Sequence, residues 1–83
     1  MIVYLLETGK MQDNGQIFWY AIEVYSSLVR TILRLENSFK INEGKNLKKY
    51  SDTIYNYYDY DCICTDGRPM NIYLRYKKVR VNY

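Results

Sequence analysis

The sequence predicts a small α+β domain: an antiparallel β-sheet made of two hairpins in ββαββ order, with one amphipathic helix packed on one face. Three observations predict it. The 83 residues are 48% hydrophobic and 17% aromatic, which is enough apolar surface to offset chain entropy but only for one core; residues 1–83 therefore read as a single domain. Two long strand-like runs, Thr53 to Cys64 and Met70 to Asn82, flank the turn chemistry of Thr65-Asp66-Gly67-Arg68-Pro69. Between the two halves, the residues after Ser26-Ser27 change to helical apolar spacing.

Taken in order, residues 2 to 7 form a short apolar run rich in strand formers. Gly9 through Gly15, which contains Asp13-Asn14-Gly15, is turn chemistry because Asn and Gly tolerate positive φ. Residues 17 to 25 fit either a strand or a helical stripe. The strand is favoured because Ser26-Ser27 supplies an N-cap where a helix from Leu28 to about Asn37 would begin. That helix would place Leu28, Val29, Ile32, Leu35 and Phe39 on the sheet, with Arg30, Thr31, Arg34 and Asn37 outside. Residues 40 to 52, polar and basic around Gly44, read as a connector with a helical turn near Asn46 to Tyr50.

Folding the last hairpin about Gly67 sets Cys62 opposite Ile72, Tyr60 opposite Leu74 and Tyr58 opposite Tyr76 on an inner face. Asp61 then meets Tyr73, and Asp59 meets Arg75, on the outer face. Beyond Tyr76 the apolar parity slips by one, so a β-bulge at Lys77-Lys78 is expected, which would send Lys78 and Arg80 outward.

The chain has no histidine, and this closes the Ser-His-Asp, Cys-His and histidine-metal hydrolase classes. Asp59 and Asp61, two apart on one strand face, could hold Mg²⁺, but a cross-strand ion pair with Arg75 explains the spacing as well. Cys62-Ile63-Cys64 lacks the further ligands zinc requires and reads as core packing. Neither Glu7-Thr8-Gly9-Lys10 nor Glu43-Gly44-Lys45-Asn46 has the paired glycines of a phosphate loop. A non-enzyme with no metal and no cofactor is expected.

Charge is lopsided. Of the twelve basic and nine acidic residues, residues 1–39 net −1 and residues 40–83 net +4. Lys40, Lys45, Lys48 and Lys49 form one basic group in the connector, with Lys45, Lys48 and Lys49 as candidate nucleic-acid contacts, and Arg75, Lys77, Lys78 and Arg80 form a second beside Tyr73. The eleven tyrosines crowd before the last turn, where period two puts Tyr58 and Tyr60 inside and Tyr55 and Tyr57 outside. Exposed tyrosine among charges suits protein recognition, because the ring buries large area with few rotamers to freeze. The candidate partner-binding set is thus Tyr55, Tyr57, Tyr73, Arg75, Lys78 and Arg80.

The longest apolar stretch, residues 17–22, is far short of the ~20 residues a bilayer demands. With no basic leader at the start, a cytoplasmic protein with reduced thiols is expected. So small a core also makes a homodimer or a partner complex expected. In general character the chain is short, motif-free and rich in tyrosine, isoleucine, lysine and asparagine, whose codons are A/T-rich. In this it resembles the many small phage or mobile-element proteins that block a host defence enzyme, inhibitors of CRISPR effectors among them. That resemblance is one of type and transfers no site residues. It implies a protein partner such as a host nuclease or defence complex, blocked sterically in the host cytoplasm, with RNA or DNA binding through the basic clusters as the alternative.

Overall fold

The computed structural model describes residues 1–82. Along the chain run β1 (Ile2–Met11), β2 (Ile17–Tyr25), α1 (Leu28–Ile41), β3 (Lys45–Ser51), β4 (Asn56–Ile63) and β5 (Pro69–Arg80). The strands form one antiparallel sheet in the order β2-β1-β5-β4-β3, and α1 lies across one side of it. The small α+β architecture with its β1–β2 and β4–β5 hairpins is as expected, but the order is ββαβββ rather than ββαββ. The extra strand is β3, which occupies most of the supposed connector. No apolar alternation marks it, because it is an edge strand on which Leu47 alone packs against the core.

Ser27 caps α1, its hydroxyl accepting from the Arg30 N–H at 3.1 Å. The helix continues four residues past the expected end. It stops where the Gly44 N–H donates to the Phe39 carbonyl at 2.9 Å and the Glu43 N–H to that of Lys40 at 3.1 Å, the paired bonds of a Schellman stop. Glu43, at φ 51°, takes the left-handed position in that stop. Gly44 is required for a different reason: a Cβ there would lie 2.4 Å from the Phe39 ring and 2.7 Å from the Tyr60 ring.

The buried stripe of α1 is Thr31, Leu35 and Ser38, flanked by Ile32 and Phe39. This rotates the helix from the expected face. Thr31 is fully buried, its hydroxyl donating to the Ser27 carbonyl at 2.9 Å, while Leu28 and Val29 are exposed. Against the stripe pack Leu6, Tyr60, Cys62, Ile72 and Leu74. The Tyr60 hydroxyl accepts from Asn42 Nδ2 at 2.8 Å, donates to the Ser38 carbonyl at 3.2 Å and lies 2.8 Å from Ser38 Oγ. The largest buried polar group is therefore satisfied, as its burial demands.

The β4–β5 register differs from expectation by two residues, with Cys62 opposite Met70, Tyr60 opposite Ile72 and Tyr58 opposite Leu74. The hairpin folds about Asp66 instead of Gly67, and Gly67 takes φ 84° within the turn. A slip of two leaves every side chain on its own face, so the division of inner and outer residues holds while the pairs change. Arg75 now faces Tyr57, and Asp59 faces Tyr73. Cys64 lies beyond β4, its Sγ 3.0 Å from Met70 Sδ, and both cysteines are free.

The bulge expected at Lys77-Lys78 is absent: β1 and β5 pair without interruption from Ile2–Arg80 to Lys10–Ile72. Lys78 and Arg80 therefore share the side of Leu74 and Tyr76. The core ends at Tyr76, so beyond it the helix side of β5 meets water, and the parity of its apolar residues no longer reports which way is in. The irregularities fall instead between Thr8 and Gly9 in the β1–β2 pairing, and between Lys45 and Lys48 in the β3–β4 pairing.

Candidate functional site

The side of the sheet opposite α1 has no helix over it. Strand pairing aligns one row of residues across all five strands there: Ile22, Glu7, Arg75, Tyr57 and Tyr50. The adjacent row is Trp19, Gly9, Tyr73, Asp59 and Lys48.

Arg75 is the centre of this face. Its Cζ lies 3.9 Å from the centroid of the Trp19 ring and 4.2 Å from that of Tyr55, and its Nη2 donates to Glu7 Oε2 at 3.1 Å. Tyr55, in the turn before β4, completes the cluster by donating its hydroxyl to Glu7 Oε1 at 3.2 Å. Cation–aromatic contacts of this kind contribute about 0.5–2 kcal/mol each, depending on desolvation. Here the ion pair is largely shielded, with side-chain exposures of 21% and 14%. The ion pair expected between Arg75 and Asp59 is thus replaced by one with Glu7, 68 residues away.

Gly9 makes the arrangement possible. A Cβ at Gly9 would meet the Trp19 ring at 2.8 Å and the Phe18 carbonyl oxygen at 2.9 Å, so only glycine lets the indole lie against β1 and reach Arg75. Gly9, expected in a turn, stands inside β1, where glycine marks close approach.

Beside this cluster, Tyr50 and Tyr57 stack with centroids 4.9 Å apart and planes 11° from parallel. The Tyr57 hydroxyl donates to Asp52 Oδ2 at 2.8 Å. That bond raises the Tyr57 pKa, and the backbone N–H groups of Tyr55 and Ile54, with the Tyr57 hydroxyl, lower that of Asp52. Burial, then the Asp59 carboxylate, pushes the Tyr50 phenol up to about 12. Burial and the carboxylates of Asp59 and Asp61 likewise raise Tyr73. The Tyr50–Tyr57 stack and the Tyr57–Asp52 hydrogen bond orient those two rings.

Of the expected partner-binding residues, Tyr55, Tyr57, Tyr73 and Arg75 share this face, while the register carries Lys78 and Arg80 to the other side. The connector lysines also divide. Lys45 and Lys48 pair with Asp61 and Asp59, whereas Lys49 pairs with Tyr58 and sets its Nζ 5.1 Å from that ring's centroid on the helix side. Glu7, Trp19 and Tyr50 belong to the site and escaped the sequence reading. For Trp19 a signal existed in the glycine of an otherwise strand-like run. For the Glu7–Arg75 pair none existed, because nothing local tells β1 that β5 will be its neighbour.

Among the described residues no group of three or more His, Cys, Asp or Glu side chains is arranged to hold a metal ion, and no helix is long and apolar enough to cross a membrane. Comparison with protein-family models, with curated proteins and with solved structures returns no match for this chain.

Proposed function

We propose that this chain is a non-enzymatic binding protein that docks a protein partner on the open side of its sheet, and that it acts by occupying the partner's surface. The observation that carries this is the pre-set aromatic row: Trp19, Tyr55, Tyr57 and Tyr50 are stacked or hydrogen-bonded before any partner arrives. Rings already ordered lose little entropy on binding, and ordering of side chains is a principal cost of association. The resemblance in type to small phage inhibitors of defence enzymes makes a host nuclease or defence complex the class of partner, blocked sterically.

Charge supports a protein partner over a nucleic acid. Lys45, Lys48, Arg75 and Lys77 on the open side and its rim stand among Glu7, Asp52, Asp59 and Asp61, whereas a phosphate track is lined by one sign. Lys78 and Arg80, the strongest additions to such a track, point away.

A tagged pull-down from lysate of the native host, with and without nuclease, tests the reading. A protein retained after nuclease and at raised salt, and lost when Tyr57→Ala and Tyr73→Ala are combined, is the expected result. Recovery of nucleic acid alone, or retention of the partner by the double variant, overturns it.

A further inference from the structure

The two edges of the sheet are built differently. β3, the outer strand on one side, carries Lys45, Lys48 and Lys49 among seven residues, and the register shift between Lys45 and Lys48 interrupts it. These are standard devices that prevent an edge from adding another strand. β2, the outer strand on the other side, has one charged residue in nine, no proline and no lysine. Phe18, Tyr20, Ile22 and Val24 on it are 48%, 50%, 68% and 61% exposed. Its free edge is a row of backbone donors and acceptors bordered by apolar side chains on both sides of the sheet.

We infer that a second copy of this chain pairs antiparallel with β2 through residues Ala21–Tyr25, making a ten-stranded sheet with a two-fold axis at Glu23. The pairing is confined to that segment because β2 is irregular on the other side of Ala21, where Gly9 pairs with Trp19 and Thr8 with Ala21, leaving Tyr20 as the extra residue. Glu23 is the middle of the regular run. Antiparallel pairing about it sets Ile22 opposite the second copy's Val24, and Val24 opposite its Ile22, on the open side. On the helix side it sets Tyr25 opposite Ala21, large against small. The segment is therefore self-complementary in shape, as an isologous interface demands.

Its one electrostatic obstacle is Glu23 facing Glu23, and each copy already carries the remedy. Arg34 on α1 reaches to 3.2 Å from Glu23 Oε2, and the Tyr25 hydroxyl donates to the same carboxylate at 2.9 Å. Both side chains of that ion pair remain partly exposed, at 36% and 38%, so the pair sits at the seam. The row Ile22, Glu7, Arg75, Tyr57 and Tyr50 would then continue across the two-fold, and two open faces would form one platform.

Sedimentation equilibrium of the full chain over a concentration series tests this. The wild type is expected to be a dimer at about 100 µM and to dissociate on dilution. Val24→Lys places an edge lysine at an exposed position and should give a monomer with an unchanged circular dichroism spectrum. Arg34→Gln should weaken the dimer about tenfold by leaving the facing carboxylates uncompensated, Glu23→Gln should not weaken it, and the double variant should restore it. A wild-type monomer at that concentration, assembly beyond two copies, or a dimer indifferent to Val24→Lys overturns the inference. Tyr57→Ala with Tyr73→Ala should leave the dimer intact, so the edge and the open-face binding reading fail separately.

Discussion

The two sides of the sheet use the same aromatic-rich composition to opposite ends. On the helix side Tyr60 is 1% exposed and its hydroxyl is fully engaged by Ser38 and Asn42; with Leu6, Leu35, Ile72 and Leu74 it belongs to a core that stability depends on. On the open side Tyr57 and Tyr73, one residue out of phase with Tyr58 and Leu74, remain partly exposed; Tyr57 donates to Asp52, and Tyr73 stands opposite Asp59. The difference shows that tyrosine content by itself says nothing about a recognition surface. The neighbours across the sheet and the presence or absence of a helix overhead decide it.

Substitutions should separate the two sides by size of effect. Leu74→Ala, at the centre of the covered side, is expected to cost about 2–5 kcal/mol in urea unfolding, since it combines lost burial with a cavity beneath α1. Gly9→Ala is the largest expected effect on the open side, about 1–3 kcal/mol, because the methyl displaces the Trp19 ring or the β2 backbone. With one tryptophan in the chain, the indole's emission should shift at the same time, and an unshifted spectrum would mean that Trp19 does not rest on β1. Glu7→Gln should cost about 1–2 kcal/mol by leaving the shielded Arg75 without its counter-charge. Tyr57→Ala and Tyr73→Ala should each change stability by less than about 1 kcal/mol; a larger loss would place those rings in the core and erase the contrast.

The smallest effect concerns alkaline pH. A tyrosine pKa raised in the folded state means that the fold prefers the neutral phenol. The stability Tyr50 contributes is thus complete below pH 10, its ordinary value, and is lost as pH rises toward about 12. Unfolding midpoints measured at pH 9 and pH 11 should converge in Tyr50→Phe relative to the wild type. An identical pH slope in both proteins would show that the stacked Tyr50–Tyr57 pair does not bind its proton more tightly when folded.

Much of the fold was legible because it is written locally. Ser27 as a cap, Asn14-Gly15 and Gly67 as turn positions, and the alternation of Tyr57, Tyr58, Asp59 and Tyr60 between faces each depend on residues within a few positions of one another. The same locality explains the misses. β3 shows no alternation because an edge strand has little core to face, and the expected bulge at Lys77-Lys78 came from assuming that apolar means inward along a strand that outruns its helix. What the sequence alone determined about this protein is the two hairpins, the start of the helix and the phase of β4 and of β5 as far as Tyr76, since φ, ψ preference and side-chain period are properties of neighbours in the chain. Only the tertiary structure decided that β1 lies between β2 and β5. That placement brings Glu7 and Trp19 onto Arg75, leaves β2 at an open edge and turns Lys78 and Arg80 away, because which strands become neighbours is fixed by burying one shared core and not by any local pattern.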